Sequence, residues 1–217
     1  MTRTLRWAAT LAASAILGTI ALAAPAQAAT ISQPLRTMVA NLTVATEVRT
    51  GYNRDLFPHW RDADGDGCNT RYEVLIAEAT TRPSVGSGCS LTGGRWYSYY
   101  DGAYWTVPAD LDIDHMVALA EAWDSGARSW TTARRQLFAN DLGDARSLVA
   151  VTDNVNQAKG DKDPAAWLPT LNVCRYIQEW VAVKTRWRLT VDSTEKSLLT
   201  TRANSCTNVT LTVTHAF

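Results

Sequence analysis

The sequence has no surplus of charge: 21 Lys and Arg balance 21 Asp and Glu in 217 residues. That excludes a chain coated in cationic side chains, so any nucleic acid would have to be held by a local patch or a metal. Histidine is scarce, at three, and no Cys-x-x-Cys occurs. A structural zinc site, built from closely spaced Cys and His, is therefore not expected. Repeats, low-complexity tracts and long linkers are also missing, which points to one compact domain. After residue 28 no apolar run is long enough to span a bilayer.

What is present begins at the N-terminus. Arg3 and Arg6 precede an apolar run from Trp7 to Ala24, followed by Pro25-Ala26-Gln27-Ala28. A basic start, an apolar middle and a small-x-small end read as a secretory signal peptide over residues 1–28, cleaved after Ala28. The product is extracellular, with no membrane attachment, and residues 29–217 form a single domain. Losing Arg3 and Arg6 leaves that domain net −2. Cys68, Cys89, Cys174 and Cys206 make an even count in an exported chain, so two disulfides are expected, with three possible pairings. Pairing sequence neighbours, Cys68 with Cys89 and Cys174 with Cys206, closes short segments that each join a helix start to a nearby element.

Periodicity gives an α+β reading with few strands and many helices. "PLRTMVANLTVATEV" has helical apolar spacing, and "TRYEVLIAEAT" is a short helix. "GGRWYSYYDGAYWTV" reads as a hairpin around Asp101-Gly102. "ADLDIDHMVAL" and "RSLVAVT" are strands, separated by the amphipathic helix "SGARSWTTARRQLFAND". "DNVNQAKGDKDPAAWL" reads as a capped loop leading into a short helix. "CRYIQEWVAVKTRW" and "STEKSLLTTRAN" are two further helices.

"DADGDGCNTRYE" places Asp62, Asp64 and Asp66 at alternate positions, Gly67 at the sharp turn and Glu73 at the twelfth position. That is the spacing of a calcium loop, with Glu73 as the bidentate end. It departs from an EF-hand, because Pro58 breaks the entering helix and Asn69 replaces an apolar residue. The loop is expected to brace the helix that follows it and to fix Arg71, whose guanidinium could clamp a phosphate bidentately.

The chemistry-bearing stretch is "DIDHMVALAEAWDSG", where Asp112, Asp114 and His115 end an apolar strand and Glu121 follows. A carboxylate beside a histidine lets one residue hold a cation while its neighbour handles a proton. Further on, "LVAVTDNVNQAKGDKDPAAW" carries Asn156, with Lys159, Gly160 and Asp161 behind it. Strand with Asp-His, helix, strand, then Asn-x-x-Lys resembles the ββα-metal motif of the HNH endonucleases. With "GDGCNTRYEVL", the segments resemble secreted bacterial HNH-family nucleases related to the C-terminal domain of GmrSD-type restriction enzymes. The likeness runs from about Asn53 to Cys206. It implies a small sheet and hairpin with a ββα-metal core surrounded by helices. It also implies His115 as general base, Asp114 and Asn156 as ligands of a Mg²⁺ or Mn²⁺, and Lys159 facing phosphate, with Arg71 and Glu121 in the catalytic set. The middle asparagine of the pattern has no counterpart on the second strand, which carries Arg146-Ser147; Asn140, before it, is the nearest.

The function implied is metal-dependent, largely nonspecific hydrolysis of DNA or RNA, the preference between them left open, by a monomer that leaves 5′-phosphates. Two other readings compete. A secreted calcium-dependent binding module would use only the aspartate loop, and a glycosidase using paired carboxylates would leave the Asn-x-x-Lys-Gly-Asp segment without a task.

Overall fold

The computed structural model describes residues 28–217, so the expected signal peptide lies outside the described residues but for Ala28. The elements run β1 (Thr30–Pro34), α1 (Leu35–Asn41), α2 (Thr70–Glu78), β2 (Ser84–Val85), β3 (Leu91–Thr92), β4 (Trp96–Tyr97), β5 (Tyr104–Trp105), β6 (Leu111–His115), α3 (Leu119–Asp124), α4 (Thr132–Ala139), β7 (Leu148–Thr152), α5 (Asp153–Lys159), α6 (Val173–Trp187), α7 (Ser193–Ser205) and β8 (Thr210–Thr214). The class is α+β, in one domain. The strands pair antiparallel and in twos: β1 with β8, β2 with β3, β4 with β5, and β6 with β7. None of the described helices is long and apolar enough to cross a membrane.

The central ladder is β6–β7, in register from Leu111 opposite Thr152 to His115 opposite Leu148. All of β7 is buried, which suits a strand covered on both faces. Val149 and Val151 enter the main core with Trp180, Tyr176, Val181 and Phe138. Leu148 and Ala150 turn to a second cluster with Leu111, Ile113, Val74, Leu75 and Trp96. A two-stranded ladder leaves open edges; Glu78 of α2 covers part of one by accepting the Ala150 amide at 2.7 Å.

Helices α6 and α7 pack on the far side. Cys174 at the start of α6 bonds to Cys206 beyond the end of α7, and Cys68 before α2 bonds to Cys89. These are the pairings of sequence neighbours. Two segments differ from the periodic reading. The helix expected over 34–48 stops at Asn41, because Val44 pairs instead with Val191 and the Ala45 amide donates to the Val191 carbonyl at 2.9 Å. Helix α5 starts directly at Asp153 rather than after a loop. It ends at Gly160, whose φ of 54° suits a residue without Cβ.

Candidate active site

Side chains alternate along a strand. Since Leu111 and Ile113 pack into the second cluster, Asp112 and Asp114 project from the other face of β6. Helix α5 leaves β7 without a connecting residue and lies against β6. Asn156 and Lys159, three apart on one helix face, each meet one aspartate. Asn156 Nδ2 donates to Asp112 Oδ2 at 3.2 Å. Lys159 Nζ donates to Asp114 Oδ1 at 2.7 Å and to the His115 carbonyl at 2.9 Å. Tyr100, from the β4–β5 turn, donates its hydroxyl to Asp114 Oδ2 at 2.5 Å. Burial raises the Asp114 carboxyl above its usual range, opposed by Lys159 and Tyr100.

His115 is 6% exposed. Its Nε2 lies 2.9 Å from the Ala139 carbonyl. A carbonyl only accepts, so Nε2 carries the hydrogen and Nδ1 keeps the lone pair. Burial lowers the ring's pKa to about 3, so the imidazole is neutral at physiological pH. Trp60 packs against it with ring centres 5.6 Å apart. Asp112, Asp114, His115, Asn156, Arg54 and Asp161 line one cavity of about 240 Å³. A larger cavity of about 350 Å³ lies elsewhere, between α1 and the end of α6. Its charged groups are already satisfied, Arg188 by His215 and Lys184 by Glu121.

An antiparallel strand pair followed at once by a helix, with Asp-His on the first strand and Asn on the helix, is thus assembled in space. The family model for the C-terminal domain of GmrSD restriction endonucleases matches residues 70–202. The chain belongs to that family. An Arthroderma benhamiae protein described as an uncharacterised secreted protein is 50% identical over 174 residues, 79% of this chain and 84% of that one. This chain is likewise secreted. Its relative is fungal, which removes the ground for calling the likeness bacterial. No solved structure matches.

Within this GmrSD C-terminal domain several expected roles change. Lys159 does not face phosphate: it is 0% exposed and spent on Asp114 and His115. Asp114, expected as a metal ligand, has both oxygens engaged, and the carboxylate that meets Asn156 is Asp112. Arg71 is not a clamp in the cavity. Its Nη2 donates to the Pro108 and Leu111 carbonyls at 2.9 and 2.8 Å, tying α2 to the start of β6. Glu121 is not among the residues lining the cavity; it accepts from Ser125 and from buried Lys184 at 2.7 and 2.5 Å. No asparagine stands on β7; Asn140, just past the end of α4, instead ties together the segments behind His115. Its amide donates to the Pro58 and Gln136 carbonyls at 2.8 and 2.7 Å. Its oxygen accepts from the Arg61 amide and the Thr70 hydroxyl at 2.9 and 2.8 Å. The residue before it supplies the carbonyl that orients His115.

The aspartate loop is a separate feature. Asp62, Asp64 and Asp66 bring ligand oxygens within 4.8 Å of one another, and Asp66 forms a second such group with Glu73. Cys68, in that second group, is disulfide-bonded and supplies no thiolate. Asp62 accepts the Gly65 and Gly67 amides at 2.8 and 3.0 Å, with Gly67 at φ 94°. Burial, then Asp66, Asp64 and Asp62, raise the Glu73 carboxyl. The loop ends on Asn69, which caps α2 by accepting the Arg71 amide at 3.0 Å. The residues missing from the sequence reading are Tyr100, Trp60, Arg54 and Asp112 as the partner of Asn156. Only Asp112 had a signal, the two-residue alternation with Asp114.

Proposed function

We propose that the protein is a secreted, monomeric, metal-dependent endonuclease that hydrolyses phosphodiester bonds of DNA or RNA. The observation that supports this most is His115: a neutral imidazole, oriented through Nε2, in one cavity with Asp112, Asp114 and Asn156. Its Nδ1 takes a proton from water, which attacks phosphorus in line while the 3′ oxygen leaves, giving 5′-phosphate products.

The donors suit a hard divalent cation. Asp112 brings a carboxylate and Asn156 an amide oxygen, and among the described residues Asp112 has no side-chain partner but Asn156. Mg²⁺ takes few protein ligands and keeps several waters. Asp114 would join the set only by giving up Lys159 or Tyr100. When bound, Mg²⁺ or Mn²⁺ supplies charge stabilisation at the phosphate and at the leaving oxygen. The aspartate loop is proposed as a distinct Ca²⁺ site that holds the start of α2 and, through Thr70 and Asn140, the bracket behind His115. A calcium-dependent binding module alone would leave the His115 cavity unexplained.

Purified protein should nick plasmid DNA with Mg²⁺ or Mn²⁺, and EDTA should stop it. His115→Ala should lose about 10²–10⁴-fold in rate, the usual worth of a general base. Absence of metal-dependent cleavage by the wild type, or an undiminished rate in His115→Ala, would falsify the proposal.

A further inference from the structure

We infer that Arg54 is the residue that grips the scissile phosphate, an inference that rests on the nuclease reading above. Beside the neutral His115, Arg54 is the one basic residue among those lining the cavity. Among the described residues its guanidinium has no carboxylate partner, and the residue is exposed. The other cavity charges have ion-pair partners: Asp114 has Lys159 at 2.7 Å, and Asp161 shares Arg49, at 3.1 Å, with Asp124. Arg54 and Asp112 are the charges left over. One suits an anion, the other a cation, and a phosphodiester with a divalent ion brings both. Arg71 cannot fill the part, because its Nη2 is held by two carbonyls.

The backbone that carries Arg54 is held by a cap, packing and hydrogen bonds, and shares its support with the base. Arg54 opens a 3-10 turn, Arg54–Leu56, capped by Asn53, whose side chain accepts the Asp55 amide at 2.9 Å. Phe57 is fully buried, packed against Tyr52, Trp123 and Phe138. Helix α4 then holds the segment twice. Arg135 Nε donates to the Leu56 carbonyl at 2.9 Å, and Asn140 to the Pro58 carbonyl at 2.8 Å. Between those two residues, Ala139 accepts from His115. One helix end therefore fixes the spacing between the proton acceptor and the guanidinium. A planar guanidinium matches two phosphate oxygens at once, and a lysine ammonium does not.

The test compares wild type, Arg54→Ala and Arg54→Lys in cleavage of a fluorescent duplex across a salt series, and in duplex binding by anisotropy without divalent metal. Melting temperatures check folding. Arg54→Ala is expected to fold normally, to lose about 10-fold or more in kcat/KM, and to lower the salt slope by about 0.9, one phosphate contact. Arg54→Lys should restore the slope more than the rate. If the wild type cleaves and Arg54→Ala cleaves equally well with the same slope, the inference is overturned while the nuclease reading stands. If the wild type binds duplex but does not cleave, the nuclease reading falls. The inference falls with it, since no bond is then cut at the phosphate. If the wild type neither cleaves nor binds, both are wrong.

Discussion

Lys159→Met separates a buried structural lysine from one that faces phosphate. The substitution keeps the length of the side chain and deletes the ammonium. It strands the Asp114 carboxylate, 4% exposed, with Tyr100 as its remaining partner, and it removes a donor from the His115 carbonyl. Removing one member of a buried ion pair destabilises by about 3–5 kcal/mol. For a domain of this size each kcal/mol moves the melting temperature by about 2–4 °C, so a fall of roughly 6–20 °C is expected. Adding Asp114→Asn to Lys159→Met should return part of the loss, because the stranded charge is gone, and the double-mutant cycle should show coupling of about 1–3 kcal/mol. Urea unfolding followed by tryptophan fluorescence measures both. A Lys159→Met protein that melts with the wild type, shows no coupling to Asp114 and binds DNA more weakly would refute the buried pairing.

Asn140→Ala deletes four hydrogen bonds, three that join the end of α4 to Pro58, Arg61 and Thr70 and one back to Gln136 within α4. It should destabilise by about 2–4 kcal/mol and lower kcat well below its melting point; a wild-type kcat there would remove the bracket from the account. Stability should fall as pH rises from about 4.5 to 7. Glu47 and Glu78 are pushed up to about 7 from 4.5, chiefly by burial, and Glu195 is raised by burial beside Lys184 and Glu121. These three carboxyls hold protons in the folded chain that the unfolded chain has lost, outnumbering the one proton that neutral His115 forgoes below about 6.5, so raising pH favours unfolding. Urea midpoints at pH 5.5 and 7.5 test the sign, and Glu47→Gln with Glu78→Gln should flatten the change. Finally, Ca²⁺ should raise the melting temperature by mass action. Asp64→Ala with Asp66→Ala should abolish that rise and reduce cleavage less than His115→Ala; no response to Ca²⁺ in the wild type would remove the calcium site.

The elements legible in the sequence are those where pattern and packing agree. Strand β6 alternates apolar and acidic residues, β7 is a short apolar run ending in Thr152, and apart from the half-buried Asp112 both are buried. Helix α6 keeps its apolar face for fifteen residues. The terminal pair β1–β8 left no clear trace. Each is five residues of half-exposed alternation, and each finds its partner across nearly the whole chain, as Thr30 opposite Thr214 shows. The run after Asn41 misled for a similar reason, since Val44 and its neighbours pair with Val191 and leave the helix.

The site divides along the same line. Local order placed His115 on a strand end and Asn156 on the following helix. It could not say which aspartate meets which α5 residue, because that depends on how α5 crosses β6. The two-residue step of the strand and the three-residue step of the helix bring Asp112 to Asn156 and Asp114 to Lys159. A lysine at the last position of a short helix, six residues past its start, looks solvent-facing in sequence. Here the crossing turns it inward, where a carboxylate must offset its charge. The consequence for chemistry is specific. Lys159 and Tyr100 consume the carboxylate next to the histidine, which leaves Asp112 and Arg54, the latter from a segment far away in sequence, as the charges that can meet a metal and a phosphate. Asp112→Ala should therefore weaken metal-supported cleavage with little loss of stability, whereas Asp114→Ala should unfold more readily because it leaves Lys159 buried without its partner. Rates titrated against Mg²⁺, set beside melting curves for the two variants, distinguish them. If Asp114→Ala lost metal dependence while keeping wild-type stability, the roles of the two aspartates would be reversed.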